Sequence, residues 1–213
     1  MTTRSTPNAP QQQRSREMLQ KLLRATLKVL AESGLAGATI PRIAATAEVA
    51  PASIYRRFAD KDALLRAAIL DLFAQANHGN REHLHEMVVR GNLQDTVREL
   101  MAVLLQPYRA YPQLMRALKV FFDNETDQDF LDQAQRTVRD NMRLVEATLL
   151  VHRKEIKRGM PERAVNFALM TALGAIETIV IDPRSLWHLS EPLSDEELVG
   201  ELTLSCVAYL KTR

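Results

Sequence analysis

Apolar side chains recur three and four positions apart along nearly the whole chain, while the alternation of a half-buried strand is almost absent and glycine is scarce. This periodicity predicts an all-α fold. Leu19, Leu22, Leu23, Leu27 and Leu30 form one stripe on a first helix running to about Ser33, with Gly34 as its stop. Thr39 is placed to cap a short second helix bearing Ile40, Ile43, Ala44 and Ala47, with Pro41 tolerated in its first turn. A third helix begins at Pro51. Asp60 is placed to cap a fourth, whose Leu64, Leu65, Ala68, Ile69, Leu72 and Phe73 make a broad apolar face before Asn77-His78-Gly79-Asn80 is expected to interrupt it.

Beyond Asn80 the predicted helices lengthen. Asn92 with Asp95 opens one, Pro112 precedes another, and Thr126 with Asp129 opens a long one reaching about Arg153. The penultimate helix follows Pro161, and Ser194 with Glu197 spells a capping box for the last. Residues 164–181 are apolar nearly all round but contain Asn166, Glu177, Thr171 and Thr178, which reads as a buried helix rather than a bilayer span.

Charge divides the chain. Through Lys61 there are 10 basic and 4 acidic residues, a balance of +6, and the remaining 18 and 22 give −4. An anion-binding N-terminal unit attached to a body with another task is the natural reading. The polar, Pro/Gln-rich start lacks the apolar core of a secretion signal, so residues 1–15 are expected to be a disordered arm, followed by the anion-binding unit over 16–61 and a helical body over 62–213. The lone Cys206 excludes an internal disulfide framework and suits a reducing cytoplasm.

The stretch 51–58, Pro-Ala-Ser-Ile-Tyr-Arg-Arg-Phe, carries the sharpest signal. At 100° per residue Ile54 and Phe58 share an inward face, whereas Ala52, Ser53 and Arg56 face outward between Tyr55 and Arg57. Small residues for close approach, bracketed by groups able to bond phosphate, are the layout of a recognition helix entering a major groove. The run from Arg24 to Leu65 resembles the N-terminal domain of the TetR family of transcriptional regulators, most specifically in Ile43-Ala44 and in "SIYRRFADKDALL", which is similar to the family's Tyr-x-x-Phe-x-x-Lys-x-x-Leu signature. Two positions depart from the family pattern: Glu48 stands where a turn glycine is usual, and Ala50 where Ser or Thr usually caps the recognition helix.

Carried over by position, the resemblance implies phosphate contacts from Thr39, Tyr55 and Lys61. Pro51 and Ala52 offer apolar contact only, Ser53 and Arg56 are the base readers, Arg57 suits phosphate, and Arg42 is a further candidate. The resemblance also implies a homodimer on a double-stranded DNA operator and a small-molecule effector held within the helical body. Met101, Leu105, Tyr108, Met115, Leu118, Phe121, Phe122 and Phe130 supply the bulky apolar material for such a pocket. Phe167, Met170, Leu173, Ile176, Val180, Leu202, Cys206 and Tyr209, on the last two helices, are the expected dimer interface.

Other chemistry finds little support. Glu82 and His85 have the Glu-x-x-His spacing of metal-binding bundles, leaving a helical-bundle enzyme or metal carrier as the alternative, but the motif occurs once where such bundles need it twice. There is no Gly-rich phosphate loop, zinc-ligand cluster or nucleophile elbow, so neither an enzyme, a cofactor nor a metal is expected. The expectation is a ligand-released repressor, with a regulator lacking any effector as its competitor.

Overall fold

The computed structural model describes residues 9–87, 91–189 and 192–213, and these form nine α-helices with no strand among the described residues. In chain order they are α1 (Ala9–Gly37), α2 (Ile40–Thr46), α3 (Pro51–Tyr55), α4 (Lys61–Met87), α5 (Leu93–Ala110), α6 (Pro112–Asn124), α7 (Gln128–Leu150), α8 (Pro161–Val180) and α9 (Asp195–Lys211). A short 3-10 turn at Leu186–Leu189 lies between the last two.

Local capping explains most of the starts. Asn92 with Asp95 on α5, and Ser194 with Glu197 on α9, form reciprocal capping boxes. Asp60 Oδ1 accepts from the Ala63 amide at 2.7 Å at the head of α4. On α7 the cap is Asp127, accepting from the Phe130 amide at 3.0 Å, in place of the expected Thr126. The Thr126 and Asp127 amides are instead drawn to Glu125 Oε1, at 2.8 Å each.

Two expected boundaries move. Residues 9–15, expected to be disordered, form the first turns of α1, where Gln and Arg are good helix formers and Gln13 bonds Glu17 one turn on. The expected break at residues 77–80 does not occur, because α7 satisfies the polar side chains there. Asn77 donates to the Thr137 carbonyl at 2.9 Å and Asn80 to Asn141 Oδ1 at 2.7 Å, so α4 continues to Met87. Gly34 does mark a kink. Its φ of 64° is left-handed, and a Cβ there would meet the Gln113 amide nitrogen of α6 at 2.8 Å.

The buried side chains separate into two clusters. The first joins Leu22, Val29 and Leu30 of α1, Ile43 of α2, Ile54 of α3 and Leu64, Leu65 and Ile69 of α4 with Leu118 and Phe121 of α6 and Phe130 of α7. It runs without a break through residue 61, where the sequence predicts a domain boundary, because α1 packs along both α4 and α6. The second joins Val97, Leu100 and Met101 of α5, Val145 and Leu149 of α7, Val165, Leu169 and Ile176 of α8, and Leu198 and Leu210 of α9. Buried Thr26, Thr148 and Thr203 return their hydroxyls to carbonyls of their own helices, as Thr26 does to Leu22 at 2.8 Å, whereas buried Thr96 pairs with His152 Nε2 at 2.8 Å. Helix α8, at 20 residues with a mean hydropathy of 1.3 over its most apolar window, has the length and composition to cross a membrane, a combination that core helices of soluble proteins share. Only 33% of that window is buried within the chain.

One ion pair ties α4 to the α6–α7 turn. Arg66 forks onto Glu125, with Nε 2.8 Å from one carboxylate oxygen and Nη2 2.9 Å from the other, and its Nη1 lies 3.4 Å from Asp127. The guanidinium, together with the turn's own amides, holds the Glu125 carboxyl down to about 2. A folded-state value below the unfolded one makes this stabilisation complete above the ordinary carboxylate range and lost as pH falls through about 2. Glu125→Gln is therefore expected to unfold more readily at pH 7 and to lose less stability than wild type between pH 5 and 2. Chemical denaturation across that range checks it, and parallel curves for the two proteins would refute it.

Candidate nucleic-acid interface

The α2–turn–α3 unit is held from beneath. Ile43, Ala44, Ala47 and Ile54 are all at most 1% exposed and turn into the first cluster. A helix of five residues has almost no stability of its own, so the anchoring of Ile54 is what keeps α3 formed. Pro51 starts it with a pre-set φ, since the cap residue Ala50 has no side-chain acceptor.

The turn is built around Glu48. Its amide bonds the Ala45 carbonyl at 3.1 Å, and the following Val49 amide reaches back to Ala44 at 3.0 Å, the pair of bonds that closes a Schellman motif. The residue at its pivot must be left-handed, and Glu48 has φ 52°, the one positive value among the described non-glycine residues. Lys21 Nζ of α1 lies 2.7 Å from its carboxylate and holds the Glu48 carboxyl below its usual range. That cross-link offsets part of the strain a glycine would have avoided.

On the outer side, Thr39, Arg42, Pro51, Ala52, Tyr55, Arg56 and Arg57 are exposed, and Ser53 and Lys61 are half-buried. The Thr39 hydroxyl, at the N-cap of α2, makes no capping bond. Arg56 Nη2 donates to Ser53 Oγ at 2.9 Å, so the two expected base readers hold each other in the free protein. Arg57 Nη2 donates to Ser15 Oγ of α1 at 3.0 Å. None of Arg42, Arg56, Arg57 or Lys61 has a carboxylate partner among the described residues. Cations presented without internal counter-charges are what a polyanion needs in order to bind by displacing mobile ions.

The eight residues expected to line one pocket fall into two groups. Met101, Leu105 and Tyr108 belong to the second cluster, and Met115, Leu118, Phe121, Phe122 and Phe130 to the first. Within the first, Phe121 and Phe122 pack against Phe130 with ring centroids 5.8 and 5.5 Å away, and Phe73 stacks on Phe122 at 6.0 Å. Phe121 and Phe130 fill core space, whereas Phe73 and Phe122 are partly buried and also line a 350 Å³ groove. Leu105 borders an 880 Å³ groove between α5 and α9, spanned by the ion pairs Arg98–Glu196 at 3.5 Å and Arg109–Asp195 at 2.7 Å. A 440 Å³ apolar cleft lies elsewhere, between α8 and α9, with Phe167, Trp187, Leu202 and Tyr209 in its walls.

Among the expected interface residues, Phe167 and Met170 are 57% and 44% exposed, and Leu173, Val180, Leu202 and Tyr209 are half-buried. Ile176 and Cys206 are corrections to that set. Ile176 is fully buried in the chain's own core, and Cys206 is 5% exposed at the edge of the cleft, its burial pushing the thiol up to about 11. Exposed apolar area at Leu204 and in the α8–α9 connection at Leu186 and Leu189 escaped the sequence reading, because helical periodicity cannot say which side of an all-apolar helix finds a neighbour. Glu82 lies 3.6 Å from His78, and the side chain of His85 is outside the described residues.

A buried-anchor recognition helix behind a left-handed turn, with unpaired cations on its outer side, defines a helix-turn-helix DNA-binding protein. Residues 22–68 match the family model of the bacterial regulatory proteins, tetR family, so the N-terminal segment that holds α2 and α3 is similar to that family's domain. No curated protein matches the sequence. The fold of the whole chain is similar to three solved structures. FadR of Bacillus subtilis, in complex with stearoyl-CoA, is 18% identical with a TM-score of 0.63, covering 91% of this chain and 97% of that one. A transcriptional regulator of Pseudomonas aeruginosa is 18% identical with a TM-score of 0.68, covering 92% and 91%. A TetR regulator of Haloarcula marismortui is 19% identical with a TM-score of 0.65, covering 92% and 97%.

Replacing Tyr55 or Lys61 by alanine is expected to weaken binding to operator and random duplex alike. Ser53→Ala or Arg56→Ala is expected to cost about 1 to 3 kcal/mol chiefly on operator. Ile54→Ala removes the anchor and is expected to cost about 2 to 5 kcal/mol of stability. Competitive titrations and denaturant melts separate the three effects, and unchanged operator affinity of an Arg56/Arg57 double alanine variant would refute the assignment.

Proposed function

We propose that the protein is a cytoplasmic repressor that binds a near-palindromic operator as a homodimer and leaves it when a small apolar or amphipathic ligand occupies the helical body. One observation carries this reading: the same chain pairs a cationic helix-turn-helix surface with an exposed apolar face on α8 and α9. Phe167, Met170 and Leu204 stand 44% to 57% exposed there, and the chain leaves most of the apolar window of α8 uncovered. A second copy of the same face would cover them by two-fold symmetry. Such a dimer sets its recognition helices about 34 to 36 Å apart, one turn of duplex.

The effector class draws support from the fold shared with FadR, whose structure holds stearoyl-CoA. Release would act through α4. Its first turn carries Lys61 beside the recognition helix, Arg66 pins it to the α6–α7 turn, and Asn77 and Asn80 bind it to α7. A ligand that displaces α6 or α7 drags α4 and changes the spacing of two helices that must match the groove. A regulator without an effector is the second reading, favoured by the filled aromatic packing around Phe121 and Phe130.

Sedimentation is expected to find a dimer at micromolar concentration, and Phe167→Glu with Met170→Glu to yield monomers that bind operator far more weakly. A wild-type monomer holding a half-site tightly would refute the dimer. For the ligand, acyl-CoA thioesters and other amphipathic molecules that raise the melting temperature are expected to weaken operator binding about 5 to 150-fold, with DNA weakening ligand binding by the same factor. Stabilising ligands that leave operator affinity unchanged would favour the effector-free reading.

A further inference from the structure

The first nine residues of α1, Ala9–Glu17, precede Met18, the first of the helix's described side chains to pack on a core. They also lie ahead of the family match, which begins at residue 22. Residues 12–17 are all exposed. A helical projection without a packed face is marginal in water, so its position depends on the few bonds it makes. Gln13 Nε2 donates to Glu17 Oε1 at 2.8 Å along its own surface, and Ser15 Oγ accepts from Arg57 Nη2 at 3.0 Å. The second bond crosses 42 residues of sequence and sets the projection beside the C-terminal end of the recognition helix.

Arg14 and Arg16 flank Ser15 on either side of the helix, about 100° away by helical geometry. Neither has an ion pair or hydrogen bond among the described residues. Glu17, the acid of this segment, is occupied by Gln13. Two unpaired arginines thus continue the cationic surface of Arg56 and Arg57 onto an element that the core does not need. At 1.5 Å per residue the projection spans about 13 Å. That equals the rise of roughly four base pairs along the duplex axis, at 3.4 Å each.

We infer that Arg14 and Arg16 contact the duplex backbone flanking the half-site read by α3, with the Ser15–Arg57 bond as the strut that aims them. The inference rests on the DNA-binding reading of α3. Its partner is the phosphate backbone, so these contacts add affinity and footprint length without adding sequence preference.

The test compares wild type, an Arg14→Ala/Arg16→Ala variant and an Arg136→Ala/Arg139→Ala control that removes equal charge from exposed positions on α7. The probes are an operator selected from a random-sequence duplex library and a random duplex of equal length. The Arg14/Arg16 variant is expected to lose affinity for both probes by a similar factor. The slope of log K against log salt should become shallower by about 0.9 for each lost contact, up to about 1.8 per protomer and about 3.6 for the dimer. Hydroxyl-radical protection should retract from the outer edges of the operator. An unchanged slope with unchanged protection would overturn the inference and leave the α3 assignment intact. An equal loss in the α7 control would also overturn it, because the effect would then be one of net charge. Failure of wild type to bind any duplex would remove the DNA-binding reading itself.

Discussion

Burial of Ile54 is the constraint on which the DNA-binding surface depends. Five residues close too few main-chain bonds to hold a helix, and the alanine at the N-cap of α3 contributes no side-chain bond. The helix exists because its one fully buried side chain, Ile54, sits in the first cluster, with α2 as the neighbour α3 packs on. That cluster continues through α1 and α4 into Leu118, Phe121 and Phe130, so the core under the recognition helix is continuous with the core of the body. A shift of α6 or α7 therefore has a rigid path to α3, which a flexible linker would not provide.

Electrostatics follow the same division of labour. Within the body, Arg66 is neutralised in place by Glu125 and Asp127, Arg98 by Glu196 and Arg109 by Asp195. At the outer surface the polar partners of Arg56 and Arg57 among the described residues are serine hydroxyls. A guanidinium satisfied by a neutral acceptor keeps its full charge available, and exchanging a serine for a phosphate oxygen costs little at an exposed site. Both contacts thus pre-orient the arginines while leaving them free to change partner.

Glu48 marks a compromise in the turn. Its left-handed backbone is strained for a residue with a Cβ, yet the side chain that causes the strain also reaches Lys21 and ties the turn to α1. Glycine would relax the backbone and lose the tie. The departure from the family's usual glycine leaves the Schellman geometry intact, as its two reverse bonds show.

The sequence by itself determined the helices, most of their caps, the buried face of α3 and the cationic character of its outer face. Each of these is written within three or four residues, by apolar period, by capping pairs such as Ser194 with Glu197, or by local charge. Tertiary structure decided what depends on neighbours. Asn77 and Asn80 read as a break until α7 supplies their partners, and Arg66 and Glu125, 59 residues apart, carry no mutual signal. Ile176 and Phe167 are equally apolar on a helix that is apolar nearly all round, and the packing of α5, α7 and α9 against α8 leaves the first buried and the second exposed. Residues 9–15 look like a tail by composition, and their structural meaning comes from one bond to Arg57. Periodicity specifies which residues share a face, whereas the partner of that face is a property of the assembled chain.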